Sequence, residues 1–177
     1  MNKNNVLGAL LVCAGLMIQP ARAQTSQPIP AWDHQIAGAG RFVVLADFAN
    51  NAVLDLETGL VWERAPSTAT IDYFTGARQC LNNTTGGRKG WRVPSIFELS
   101  TLIDPTVTTV PMLPAGNPFK NVSKPGWFFW SSTRDSNVPA PLFWGTNTWD
   151  GTTTQNYYAT VGLRVWCVRA PSADSLQ

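Results

Sequence analysis

The segment GWRVPSIFEL, which runs from Gly90 to Leu99, combines an extended region with the start of a helix. The chain must be extended just before Pro94, because a residue that precedes proline is disfavoured in the helical region. Ser95 is followed three residues later by Glu98, which is the pattern of a capping box. In that motif the serine hydroxyl and the glutamate side chain each accept a hydrogen bond from a backbone amide at the start of a helix. The sequence therefore predicts an extended segment that ends in a helix beginning at Ser95.

Apolar residues recur at helical spacing directly after this start. They are Ile96, Leu99, Leu102 and Ile103. Asp104-Pro105 then ends the pattern, because proline cannot continue a helix. We expect a short helix with one apolar side.

Short strands are predicted on both sides of this helix, wherever β-forming residues are bounded by turn residues. They cover residues 41–45, 52–56 and 60–64 before the helix, and residues 127–132, 142–146, 156–160 and 163–169 after it. Another helix is predicted over residues 71–81. Residues 104–125 are rich in proline and threonine and are predicted to be ordered without regular structure.

The first 23 residues have the composition of a bacterial secretory signal. A polar start with Lys3 precedes an apolar run over residues 6–18, and Ala21-Arg22-Ala23 is a small-x-small cleavage site. A lipoprotein site at Cys13 is the alternative, and Val12 before it disfavours that interpretation. Nothing later is long and apolar enough to insert in a membrane. We expect export to the periplasm, the cell surface or the medium.

Composition predicts a signal peptide at 1–23 and a flexible lead segment at 24–40, and the length that remains is that of one domain. The chain holds 13 lysines and arginines against 11 acidic residues. Removal of the signal also removes Lys3 and Arg22, so that basic and acidic residues are equal in number and the net charge is zero. A neutral domain has no overall attraction for nucleic acid, and no such partner is expected.

Two cysteines, Cys80 and Cys167, remain once Cys13 leaves with the signal. In an oxidising compartment they are predicted to form a disulfide with each other. A reactive thiol pair is the alternative, and neither a Cys-x-x-Cys spacing nor a nearby histidine supports it.

Five sequence pieces occur in an order that carries a family resemblance. They are DLETGLVWER (55–64), a helix bearing Cys80, GGRKGWRVPSIFELSTLID (86–104), FWSSTR (129–134) and LRVWCVRA (163–170). Together they resemble the Lcl C-terminal domain family, a bacterial domain of unknown function named for a collagen-like adhesin. Where that family often has arginine before the final cysteine, this chain has Trp166.

The resemblance covers residues 41–170, which implies one domain over that range and a tail at 171–177. It also implies an α+β, C-type-lectin-like fold in which two short helices flank a small twisted antiparallel sheet. Fold alone does not give function. The adhesin for which the family is named binds sulfated polysaccharide, so the resemblance makes a glycan partner conceivable.

Catalytic and metal sites are disfavoured by the residues present. The one histidine after the signal, His34, lies in the lead segment, which disfavours Ser-His, Cys-His and His-ligated zinc sites. A carboxylate pair for glycoside cleavage is the open alternative, and its candidates are Glu63, Glu98, Asp135 and Asp150. The calcium motifs of sugar-binding lectins are absent from residues 125–170. We expect no enzyme activity, no cofactor and no obligatory metal.

All eight tryptophans follow the signal. Trp62, Trp91, Trp130 and Trp166 are predicted to be core residues. The sequence WFFW (127–130) alternates aromatic rings between two strand faces, which predicts a central strand buried on both sides.

Trp144 and Trp149 differ, because they border or lie within the polar run GTNTWDGTTTQN (145–156). We expect them, with Asn147 and Asp150, to form the surface that binds a glycan or a protein partner. The alternative is a structural envelope protein that binds no small ligand.

Overall fold

The computed structural model describes residues 36, 40–122, 128–137 and 139–170. The predicted signal, the tail, His34 and Trp127 lie outside the described residues, as does nearly all of the lead segment. No helix in the described ranges is long and apolar enough to cross a membrane.

The domain is α+β. Its strands are β1 (Phe42–Val44), β2 (Ala52–Asp55), β3 (Val61–Glu63), β4 (Phe128–Arg134), β5 (Leu142–Asn147), β6 (Thr153–Tyr158) and β7 (Val168–Arg169). Its helices are α1 (Tyr73–Asn82) and α2 (Ile96–Ser100), with single 3-10 turns at Ala46–Phe48 and Thr85–Gly87. The strands form two antiparallel sheets where the sequence led us to expect one.

The first sheet has four strands in the order β1-β2-β3-β7, and the second has three in the order β4-β5-β6. In the first, Val53 lies opposite Trp62 and Trp62 opposite Val168. The last strand of the domain therefore completes the sheet that the first three strands begin.

The first helix, α1, begins at Asp72, whose side chain accepts a hydrogen bond from the amide of Thr75. One face of α1 carries Gly76 and Cys80 into the core. The predicted disulfide is confirmed: Cys80 is bonded to Cys167, with the two Cα atoms 5.4 Å apart. It joins α1 to the segment that leads into β7.

The predicted capping box of α2 is also confirmed. The Ser95 hydroxyl accepts from the amide of Glu98, and a Glu98 carboxylate oxygen accepts from the amide of Ser95 at 2.7 Å. Arg92 donates to both oxygens of the same carboxylate at 2.8 and 2.6 Å. Burial alone would raise the pKa of Glu98, but the hydrogen bonds from Arg92 and Ser95 outweigh it and lower that pKa.

Two buried clusters form the core, one on each side of β4. Trp130 lies in the cluster that contains the disulfide, whereas Phe129 lies in the cluster that contains Leu99 of α2. β4 is an edge strand of its three-stranded sheet. On the side away from β5, however, the amide of Trp130 donates a hydrogen bond to the carbonyl of Arg164. The alternating rings of this strand are therefore buried on both faces, as the sequence predicted.

The four tryptophans predicted to be core residues, Trp62, Trp91, Trp130 and Trp166, are each at most 1% exposed. Trp166 packs edge-on against Trp62, and its indole nitrogen donates to the carbonyl of Glu63. The position at which the family often has arginine therefore points into the core of this chain.

A buried ion pair fixes the start of the domain. Arg41 donates through two nitrogens to the two carboxylate oxygens of Asp55, both at 2.7 Å, and neither residue is more than 6% exposed. The same guanidinium donates to the carbonyl of Thr101 just after α2. Asp55 also accepts from the hydroxyl of Thr58 in the turn before β3. Asp55 therefore fixes the turn formed by Asp-Leu-Glu-Thr-Gly and at the same time pairs with Arg41.

The strand predicted over residues 163–169 is shorter than expected. Only Val168–Arg169 forms a strand, while Leu163 bridges Ile71 and Arg164 bridges Phe129. Each part of this segment therefore pairs with a different neighbour, because the chain passes from one sheet to the other. β6 begins at Thr153 rather than at the predicted residue 156.

Candidate functional site

The hairpin formed by β5 and β6 carries the four residues that the sequence nominated for binding. Trp144 and Trp149 are half-buried, Asp150 is exposed, and Asn147 is only 3% exposed. Two tryptophans thus keep part of their rings at the surface, unlike the four in the core.

Side chains in the hairpin turn hold the backbone of the turn. The Asn147 side-chain oxygen accepts from the amide of Trp149 at 2.9 Å, and Asp150 accepts from the amide of Thr152 at 2.9 Å. The hydrogen bonds from Thr152 lower the pKa of Asp150. Asn147 is therefore engaged in supporting the turn, and Asp150 presents a carboxylate from it.

The turn rests on the long connection between α2 and β4. The amide of Met112 donates to the carbonyl of Thr148 at 3.0 Å. Gly151 has φ +71°, and a Cβ added to it would lie 3.1 Å from Ile103 and 3.3 Å from the sulfur of Met112. The close approach fixes Trp149 and Asp150 against residues 103–112.

A second surface feature is an open groove between α1 and the extended segment 91–93. Its volume is about 430 Å³. The lining residues are Tyr73, Phe74, Ala77, Arg78, Leu81, Trp91, Arg92, Val93 and Ser132. Phe74 and Leu81 are 51% and 70% exposed, and because both line the same groove they form an apolar patch rather than isolated exposed residues.

The carboxylates considered for glycoside cleavage are held by separate structural partners. Glu63 accepts from Asn83 and from the amide of Cys167, while Glu98 pairs with Arg92. Asp135 accepts from the amide of Asn137. In the described part of the chain, no three His, Cys, Asp or Glu residues lie close enough together to hold a metal ion.

The Asp-x-x-Thr-Gly turn, the disulfide, the capping box and the closing strand thus all occupy structural positions in one domain. The family model for the Lcl C-terminal domain matches residues 51–169. The chain belongs to the Lcl C-terminal domain family. A search of curated proteins found no match.

The motifs of the Lcl C-terminal domain hold the fold of this chain together. Asp55 anchors Arg41, Ser95 and Glu98 cap α2, and Cys80 joins Cys167. The Trp-Arg-Val-Pro segment lies beside the last strand, where Arg92 and Val168 exchange two backbone hydrogen bonds at 2.8 and 2.9 Å. These residues therefore have structural roles.

The groove beside α1 was missed by the sequence analysis. Its signal is a second stripe on α1, formed by Phe74, Ala77, Arg78 and Leu81 at positions i, i+3, i+4 and i+7. A single amphipathic stripe normally faces the core. Here Gly76 and Cys80 form the core face, which leaves the other stripe at the surface.

Proposed function

We propose that this Lcl C-terminal domain is an exported, adhesin-like binding module without catalytic activity, which recognises a glycan or a protein partner through the β5–β6 hairpin. The observation that carries the proposal is the partial exposure of Trp144 and Trp149. The other four tryptophans in the described residues are buried.

The chemistry beside these rings suits a hydroxyl-rich ligand. A sugar offers CH groups to an aromatic face and hydroxyls to polar neighbours, and Asp150, Thr152 and Thr153 are polar residues in or next to the turn. Because Asn147 is buried in the turn, we assign it to support and Trp149 with Asp150 to contact. A partly exposed tryptophan is equally suited to anchor a protein partner.

The same proposal includes a C-type-lectin-like fold and export of the protein. Two helices beside small antiparallel sheets, with the first and last strands in one sheet, support a C-type-lectin-like fold. A disulfide supports an oxidising compartment, and hence the periplasm, the cell surface or the medium.

A structural envelope protein is the second candidate. The contacts between the hairpin turn and residues 103–112 favour it, since a turn that is held by the rest of the domain requires no ligand to explain it. In that case Trp149 would contribute to stability alone.

The test is to measure binding and stability on the same variant. A glycan array and an affinity pull-down with the mature protein identify a ligand, and Trp149→Ala is then compared with the parent. We expect about a 30-fold loss of affinity, since a hot-spot tryptophan contributes about 2 kcal/mol or more. Unchanged affinity, or loss of the folded state, would favour the structural candidate.

Leu81→Ala is the matched control, because it truncates an exposed apolar residue on α1 rather than on the hairpin. It is expected to leave binding at the hairpin unchanged. Equal losses in both variants would contradict the assignment to the hairpin.

A further inference from the structure

The groove between α1 and residues 91–93 has features that packing of the domain does not require. Phe74 and Leu81 line it and leave half or more of their surface exposed. Phe74 is held edge-on against Phe143, with ring centroids 6.5 Å apart. The exposed ring therefore has a fixed position over the core.

Two guanidinium groups border this apolar surface. Arg78 donates to the hydroxyl of Thr75 at 3.0 Å, and Arg92 is paired with Glu98. Asp72 lies near Arg78, whose positive charge adds to the effect of the hydrogen bonds from Thr75 that lower the pKa of Asp72. Arg78 is exposed and forms no salt bridge within the described ranges, so an acidic ligand can reach its guanidinium even though Asp72 lies nearby.

The floor of the groove contains a buried donor without an acceptor. The indole nitrogen of Trp91 is buried and has no hydrogen-bond partner among the described residues. The amide and the carbonyl of Arg92 both form hydrogen bonds with Val168 of β7. Because backbone groups alternate in direction along an extended chain, the amides of Trp91 and Val93 point away from β7. Backbone donors at a sheet edge are the groups with which an added strand pairs.

The volume of the groove limits what can occupy it. About 430 Å³ is in the range of pockets for small ligands, roughly 300–1,000 Å³. A stable contact between two copies buries about 800 Å² on each partner, which a groove of this size does not provide. A sugar is disfavoured as well, because Ser132 and Tyr73 are the only lining residues that carry a hydroxyl, and most of the others are apolar.

We infer that this groove binds a short extended peptide of a partner protein, in which a bulky apolar side chain lies next to an acidic one. The apolar side chain packs between Phe74 and Leu81, and the carboxylate pairs with Arg78. The peptide backbone lies along residues 91–93. Phe74 contacts Phe143 at the start of β5, but no lining residue of the groove belongs to the β5–β6 hairpin, so the groove is a second binding site of the domain.

The experiment uses a displayed library of random seven-residue peptides, selected on the mature protein. We expect enrichment of sequences that place a bulky apolar residue beside aspartate or glutamate. A fluorescein-labelled peptide from the selection is then titrated, and its Kd is measured by fluorescence anisotropy. Leu81→Ser and Arg78→Glu are each expected to raise Kd about ten-fold or more.

Matched controls are available on the same chain. Phe97→Ser changes a residue that is 73% exposed on α2, and Lys120→Glu reverses an exposed charge outside the groove. Both are expected to bind the peptide as the parent does, as is Trp149→Ala. The last variant separates this inference from the proposed function of the hairpin.

Three results would overturn the inference. The first is a selection that enriches no peptides, or peptides without the apolar and acidic pair. The second is a Kd that Leu81→Ser leaves unchanged. The third is a self-association, measured by light scattering, that Leu81→Ser abolishes, because it would assign the groove to a second copy of the chain.

Discussion

Glu63 accepts a hydrogen bond of 3.0 Å from the backbone amide of Cys167, and so links β3 to the residue that carries the disulfide. Its other carboxylate oxygen accepts from the side chain of Asn83 at the end of α1. One side chain therefore connects the same two parts of the fold that the disulfide connects. Burial raises the pKa of Glu63 even though both hydrogen bonds act to lower it.

This raised pKa predicts a pH dependence that Glu63→Gln removes. The folded state holds the proton more tightly than the unfolded state, so the contribution of Glu63 is fully present below the unfolded pKa of 4.5. It is lost as the pH rises through the folded pKa. Urea unfolding between about pH 4 and pH 7 is expected to show Glu63→Gln gaining stability relative to the parent as pH rises.

Asp47→Asn is the control for this experiment, because Asp47 is exposed on the first 3-10 turn. The difference in free energy of unfolding between this variant and the parent is expected to change less with pH than the corresponding difference for Glu63→Gln. A parallel pH profile for the parent and Glu63→Gln would contradict the prediction.

The buried pair of Arg41 and Asp55 gives a second prediction. Asp55→Ala removes the buried, bidentate partner of Arg41 and leaves only the more exposed Glu57, so we expect a loss of about 3–5 kcal/mol in the free energy of unfolding. Chemical denaturation measures it. Glu57→Gln, which changes the more exposed partner of Arg41, should cost clearly less, and equal costs for the two variants would be inconsistent with a central role for Asp55.

The disulfide gives a third prediction. The oxidised protein should be lighter than the reduced protein by two hydrogen atoms, which intact-mass spectrometry resolves. The bridge spans 87 residues, and its removal in Cys80→Ser is expected to lower the free energy of unfolding by about 4 kcal/mol. A variant as stable as the parent would show that Glu63 and the sheet hydrogen bonds alone hold β7 in place.

The capping box gives a fourth prediction. Ser95→Ala removes the acceptor for the amide of Glu98 and is expected to cost about 1 kcal/mol of stability. Binding at the hairpin should not change, because Ser95 supports α2 rather than a ligand. Ser100→Ala, in the same helix, is the control and is expected to cost less than about 0.5 kcal/mol. Loss of binding at an unchanged melting temperature would make Ser95 a contact residue instead.

Local patterns predicted those parts of the fold that depend on local physics. The cap at Ser95 requires only residues 95–98, and the disulfide requires only that two cysteines remain after export. The alternation of Phe129 and Trp130 depends on the two-residue period of a strand. Each of these signals lies in a few neighbouring residues.

Features made by distant residues could not be predicted in the same way. The segment 163–169 looks like one strand, but its neighbours Ile71, Phe129 and Arg92 come from three separate parts of the chain. The groove likewise requires α1 and residues 91–93 to meet, which no local pattern specifies. The burial of Asn147 also depends on tertiary packing rather than on the polarity of its neighbours.

The strand order β1-β2-β3-β7 also determines when the first sheet can be completed. During synthesis β1, β2 and β3 emerge early, but Val168 and Arg169 emerge only after almost all of the domain. Until then the backbone groups of β3 that pair with β7 are exposed as an open edge, which is a template for aggregation. A chain that is interrupted before residue 168 therefore keeps this edge, and it also lacks the partner of Cys80 if it ends before residue 167. We expect such fragments to be targets for chaperones and proteases of the compartment in which the protein folds.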